Sequence, residues 1–218
     1  MPILPKEVKT VIAALQNAGY SPYLVGGCVR EMLRGKEPSD YDMTSDAPPE
    51  EVLRIFGESA HPTGLPHGTV TVVSGGMPIE LTTMRRDGAY LDNRHPDSVT
   101  FGTSIEEDLA RRDFTVNAIA LAPTGALIDP FGGQEDLKAG VLRCVGEAAR
   151  RFEEDALRIL RLVRFCSVLG FSAEEKTARA AHEKSALLSN VAHERVYAEM
   201  NNCLLYTSPS PRDAHESR

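Results

Sequence analysis

Long apolar runs are missing from this 218-residue chain: no stretch approaches the roughly eighteen uninterrupted apolar residues that a membrane-spanning helix needs. The opening MPILPKEVKT is too polar for a secretory signal, so a cytoplasmic location is the expectation. Cysteine is sparse as well. Cys28, Cys144, Cys166 and Cys203 are scattered, with no C-x-x-C pair and no histidine at ligand spacing, which argues for reduced, buried thiols and against a zinc site or a disulfide framework. Positive charge is in deficit. A net charge of -7 argues against a surface devoted as a whole to nucleic acid, so any such contact must be local, where arginines gather at 85–86, 94, 111–112 and 143–164. What is present is ordinary for a folded protein: 42% hydrophobic and 25% charged residues, enough for one large domain or two small ones.

The most informative stretch is YLVGGCVREMLRGKEPSDYDMT, Tyr23 to Thr44. It reads as a short apolar strand, a Gly26-Gly27 turn into an amphipathic segment carrying Arg30, and a second strand carrying Asp40 and Asp42. Residues i and i+2 of a strand share a face, so the two carboxylates would stand side by side, about 6 to 7 Å apart at the backbone. A glycine turn lets backbone N–H groups approach an anion, and Arg30 offers a planar fork suited to phosphate oxygens. Paired carboxylates next to a phosphate cradle suit magnesium, which takes oxygen ligands from one or two acids and from substrate phosphates.

Elsewhere the pattern is that of an α/β domain followed by helices. Val8, Val11, Ile12 and Leu15 recur at helical spacing and Gly19 closes that helix. A helix is expected from Pro48 to Phe56, with Val52, Leu53 and Phe56 turned inward, then a loop, HPTGLPHG, in which His61 and His67 are loop residues. Strands at 69–73 and 79–84 form a hairpin. Glu80 on the second is either an exposed strand carboxylate or a third acid beside Asp40 and Asp42. Residues 85–98 read as a mobile loop, and Ser104 with Glu107 as a capping box. From Arg151 to Leu169 one helix is expected, with Ala156, Ile159, Leu160, Val163 and Cys166 on one arc, Glu154, Arg158 and Arg161 on another face, and Asp155 between them. On that wheel Arg164 lies roughly opposite Asp155. Helical pieces follow at 173–184 and 193–205, and the Ser- and Pro-rich segment 206–218 is expected to be a disordered, non-native tail.

LVGGCVR followed by D-x-D resembles the catalytic motif of the nucleotidyltransferase superfamily that contains DNA polymerase beta. With IELTTMR at 79–85, RRDFTVNAIA at 111–120, IDPFGGQEDL at 128–137 and RFEEDALRILRLVRF at 151–165, the chain resembles class II tRNA nucleotidyltransferases (CCA-adding enzymes) and bacterial poly(A) polymerases over roughly residues 5–203. The resemblance implies an α/β (α+β) nucleotidyltransferase head with a mixed sheet over 1–140, followed by a truncated all-α neck over 141–205 that selects the nucleotide. Asp40 and Asp42 would hold Mg²⁺ and carry catalysis. Gly27, Arg30, Arg112, Asp155, Arg158, Arg161 and Arg164 would bind the nucleotide. Asp113 and Asn117 would organise the sugar side, Asp92 and Arg94 would take part in a switch from C to A addition, and Glu194, Arg195 and Glu199 would brace the selecting helix.

The implied partners are CTP, ATP and a tRNA 3′ end, with no membrane; the oligomeric state is not implied. Asp155 can only accept and Arg158 only donate hydrogen bonds. Cytosine and adenine present an amino donor beside a ring-nitrogen acceptor, whereas uracil and guanine present the reverse, so this pair matches the first two bases. HGTVTVV, LDNRHPDSVTF and NAIALAP look like the CCA-adding branch rather than the poly(A) branch. Addition of two C residues alone, or of the terminal A alone, remains open, as does a nucleotide-binding fragment inactive on tRNA because the regions that hold tRNA in the resembled enzymes are absent.

Overall fold

The computed structural model describes residues 4–88, 98–102 and 104–207. The first helix, α1 (Lys6–Asn17), buries Val8, Val11, Ile12 and Leu15 as their spacing predicts, and Gly19 follows with φ 89°. Next come β1 (Pro22–Val25), α2 (Gly27–Leu33), β2 (Tyr41–Ser45), α3 (Pro49–Phe56), β3 (Ala60–Gly64), β4 (Thr69–Ser74) and β5 (Met77–Thr83). A small ribbon pairs β6 (Arg85–Asp87) with β7 (Val99–Phe101), and α4 (Ile105–Ala110), β8 (Ala120–Leu121), β9 (Leu127–Ile128) and α5 (Gly133–Ala139) complete the first part. The second part contains β10 (Val141–Leu142), α6 (Ala148–Glu154), α7 (Leu157–Leu169), β11 (Ser172–Ala173), α8 (Glu175–Glu183) and α9 (His193–Thr207).

Seven strands form one mixed sheet in the order β3-β4-β5-β2-β1-β8-β9. Its neighbours are antiparallel except β2 and β5, which run parallel with Asp42 opposite Glu80. The period of two divides the apolar side chains: Leu24 enters the core under α1, α2 and α3, while its neighbour Val25 enters a second core with Ile105 and Leu109 of α4 on the other face. A third core joins Phe114 and Val116 to Leu142, Phe152, Ile159, Leu162, Phe165 and Leu169. Phe114 and Phe152 are wholly buried there, and each would cost about 3 to 5 kcal/mol if cut to alanine.

Several expectations are corrected. HPTG, expected within a loop, forms edge strand β3, because pairing with β4 supplies hydrogen bonds that a Pro/Gly-rich sequence does not advertise. Part of the mobile loop expected at 85–98 is ordered by the ribbon, which Arg86 ties to Glu107 of α4 at 3.2 Å. The helix expected over 151–169 is two helices. Asp155 has extended backbone, φ −148° and ψ 105°, and α7 begins anew at Leu157. The buried stripe of α7 also differs from the expected arc: Ile159, Leu162, Phe165 and Leu169 are buried, and Val163 is 59% exposed. Within the helical part, β10 and β11 add a short parallel pair. Residues 206 and 207 continue α9; 208–218 lie outside the described residues, as do Asp92 and Arg94.

Candidate active site

The turn after β1 opens the site. Gly26 has φ 74° and ψ −135°, a conformation closed to residues with a Cβ, and a Cβ there would meet Arg112 Nη1 at 3.4 Å and Asp42 Oδ2 at 3.5 Å. Those are ordinary contact distances, so the backbone conformation rather than lack of space calls for glycine where the chain turns into α2. Asp42 lies on β2, but the strand starts at Tyr41, so Asp40 sits in the bend before it rather than on it. Among the described residues neither acid has an ion pair. Burial first, then the charges of Asp40 and Glu80, push the Asp42 carboxyl up to about 6, although Arg112 pulls the other way. Glu80, exposed on β5, thus acts on Asp42 across the parallel register.

Arg112 is held from behind. Asp108 on α4, fully buried, accepts from Arg112 Nη2 at 3.1 Å and from Arg111 Nη2 at 2.7 Å. Burial alone would raise the Asp108 carboxyl, yet the two guanidiniums leave it lowered. Asp108 was not singled out from the sequence; its only signal is an acid at i−4 from Arg112 on a capped helix.

A chain of polar contacts then crosses the site. Arg30 Nη1 donates to Asn117 Oδ1, and Asn117 Nδ2 donates to Asp113 Oδ1 at 3.1 Å. Asp113 Oδ2 accepts from Arg161 Nε at 2.8 Å, and Glu199 on α9 accepts from Arg161 at 3.4 Å and from Arg164 at 2.5 Å. Asp113 and Asn117, expected on the sugar side, are largely buried, line the cleft and at the same time hold Arg161 and Arg30. Burial would raise the Asp113 carboxyl; Arg161 and the Asn117 hydrogen bond outweigh it and bring it to about 2.

The helical break presents Asp155, whose carboxylate takes a forked pair of bonds from Arg195 of α9 at 2.8 and 3.2 Å and one from Leu157 N at 3.1 Å. Arg158 Nη1 donates to Glu154 at 2.8 Å and to the Arg151 carbonyl at 3.1 Å; Nη2 donates to the Arg111 carbonyl at 3.0 Å. Three of its five N–H donors are thereby used, which locks the guanidinium plane and leaves donors for a ligand. Because the helix is broken at Asp155, the wheel that set Arg164 opposite it does not apply. Arg195 and Glu199 contact α7 and the break directly, while Glu194 is exposed.

One cleft of roughly 890 Å³ is lined by Gly27, Arg30, Asp40, Asp42, Arg112, Asp155, Arg158, Arg161 and Arg164, together with Gly26, Asp113, Asn117, Phe165 and Arg195. One end is acidic and unpaired; the rest is a wall of guanidiniums set by buried partners. Among the described residues no three His, Cys, Asp or Glu side chains surround a point where a metal could sit. Two hard carboxylates with excess negative charge nevertheless suit magnesium, which completes its shell with substrate oxygens and water. No cysteine lines the cleft among the described residues, and burial pushes the Cys28 and Cys144 thiols up to about 11 and about 12.

Known proteins share this architecture. The family model described as "Poly A polymerase head domain" matches residues 22–143, and that described as "Probable RNA and SrmB- binding site of polymerase A" matches residues 170–212. The CCA-adding enzyme of Geobacillus stearothermophilus is 47% identical over 199 residues, covering 91% of this chain and 49% of that protein. The crystal structure of the Bacillus stearothermophilus CCA-adding enzyme in complex with CTP superposes with a TM-score of 0.85 at 44% identity, covering 93% of this chain and 49% of that one. A tRNA nucleotidyltransferase complexed with a primer tRNA and an incoming ATP analog gives 0.73 at 33% identity, covering 88% and 55% respectively. The chain spans about half the length of the curated relatives it matches.

Proposed function

The chain belongs to the poly A polymerase head domain family, and from that premise we propose that it is a nucleotidyltransferase that adds CCA to tRNA 3′ ends from CTP and ATP without a nucleic-acid template. The observation that carries this reading is that one cleft brings Asp40 and Asp42, without an ion pair among the described residues, together with Arg30, Arg112, Arg158, Arg161 and Arg164. In the proposed reaction the RNA 3′-hydroxyl attacks the α-phosphate of the bound nucleotide and pyrophosphate leaves. Asp40 and Asp42 would hold magnesium, which when bound lowers the hydroxyl pKa and neutralises charge on the triphosphate.

The remaining roles fall to the chain's own side chains. Gly27 and Arg30 receive phosphate oxygens, and Arg112, fixed by Asp108, does so beside Asp42. Asp155 accepts from the exocyclic amino group of cytosine or adenine and Arg158 donates to the ring nitrogen. Uracil and guanine would set acceptor against acceptor and donor against donor, a mismatch worth about 1 to 3 kcal/mol by analogy with base readout. Arg195 and Glu154 make this discrimination rigid, since each prevents its partner from turning to suit the wrong base. The same reading divides the chain into a catalytic head to residue 140 and a nucleotide-selecting neck from 141, and it carries the expectation of a cytoplasmic location. Among the described residues no helix is long and apolar enough to cross a membrane.

The test is to incubate the full chain with magnesium and tRNA ending at the discriminator base, supplying CTP, ATP or both, and to size the products. Three added residues ending in A are expected. A long A tail would reassign the chain to poly(A) synthesis, two residues or one would restrict it to partial addition, and no extension despite nucleotide binding would leave a nucleotide-binding fragment.

A further inference from the structure

We propose that Phe165 is a positioning residue for the nucleotide: its ring gathers three guanidiniums from two helices into the wall that meets the substrate. The inference rests on the functional reading above. Arg164 lies 4.2 Å from the ring centroid, Arg30 5.2 Å and Arg161 5.3 Å. All four residues line the cleft. Arg30 comes from α2 in the first part of the chain, whereas Phe165 and the other two arginines come from α7 in the second.

The physical argument begins with repulsion. Three like charges converging on one point would spread apart in water, each arginine having long, freely rotating bonds. The face of an aromatic ring is electron-rich and attracts each guanidinium within about 6 Å of its centroid. Every one of the three is also held on another side by a polar group: Arg30 by Glu31 and Asn117, Arg161 by Asp113 and Glu199, Arg164 by Glu199. Ring on one side and acceptor on another leave little freedom for the fork. The ring is itself fixed, 6% exposed and set edge to face against Phe114 with centroids 5.9 Å apart and planes at 87°. An aliphatic side chain of similar bulk would fill the same space and supply none of this attraction.

That difference makes the proposal testable with the full chain. CTP and ATP binding is measured by calorimetry with magnesium and without tRNA, so no transfer takes place, for the wild type and for Phe165→Leu, Phe165→Met and Phe165→Tyr, each checked for folding by thermal unfolding. The dissociation constants of the Leu and Met variants should rise about five- to thirtyfold, and that of Phe165→Tyr, which keeps the ring, should stay within about twofold of wild type. With tRNA present, KM should rise in the two aliphatic variants while kcat changes little, because the loss falls on binding. Should Phe165→Leu fail to fold, Phe165→Met is the variant read. Wild-type affinity in a folded aliphatic variant would overturn the proposal, as would a tyrosine variant as weak as the aliphatic ones. If the wild type binds neither nucleotide, the functional reading falls first and takes this inference with it.

Discussion

At the sheet end of the cleft, burial and neighbouring acids raise Asp42 to about 6, whereas at the helical end the more deeply buried Asp113 lies at about 2. Burial acts in the same direction on both carboxyls, so what separates them is company. Asp113 is met by Arg161 and Asn117; Asp42 is met chiefly by Asp40 and Glu80. The helical end satisfies Asp113 internally, which ties it to the scaffold that fixes Arg161. The sheet end leaves its acids with a surplus of negative charge, the condition that the proposed magnesium would relieve.

The sharpest way to break this contrast is to neutralise one acid at each end. Asp42→Asn should reduce nucleotide incorporation by about 10³-fold or more, the several kcal/mol expected for a lost metal ligand, while thermal unfolding shows no loss of stability. Asp113→Ala should do the reverse in kind. It leaves Arg161 without its closest partner and should cost about 3 to 5 kcal/mol in denaturant unfolding. Acid should reproduce part of that loss. The folded Asp113 carboxyl lies below its unfolded value, so its contribution is present above about pH 4 and disappears as pH falls toward 2, amounting to roughly 2 to 3 kcal/mol. Asp113→Asn should flatten that part of the stability profile.

Smaller effects sharpen the comparison. Arg158→Ala should bring UTP incorporation closer to CTP by a factor corresponding to about 1 to 3 kcal/mol, measured as the ratio of kcat/KM values; unchanged rejection of UTP would remove Arg158 from base choice. Gly26→Ala forces a side chain into a positive-φ turn and should cost about 1 to 3 kcal/mol of stability. Lys138→Ala removes an ion pair exposed on both sides and outside the lining of the cleft, and should change the thermal midpoint negligibly, by less than about 1 kcal/mol in stability.

Much of the scaffold was legible in the residues because local signals and burial agree. The four apolar positions of α1, the β4–β5 hairpin and the Ser104–Glu107 capping box all appear where spacing and side-chain chemistry put them. What escaped was set by distant partners. No glycine or proline marks the break at Asp155; its carboxylate is held by Arg195, forty positions on, and the helical pattern on either side conceals the change of phase. Edge strand β3 is similarly defined by β4 rather than by its own composition. Within the site, Gly27, Arg30, Asp40 and Asp42 could be read from one short motif. The supports Asp108 and Phe165 could not, since a buried acid on a capped helix and a core phenylalanine look the same whether or not arginines rest on them.

The bond from Glu199 to Arg161 and Arg164 has a bearing on how far the molecule can be trimmed. A shortened version ending near residue 190 would keep every side chain assigned to substrate, yet it would take the carboxylate from Arg164, leave Arg161 to Asp113 alone and free Asp155 from Arg195. The smallest competent unit therefore has to reach past α9's second turn, even though nothing on that helix is assigned to the chemistry.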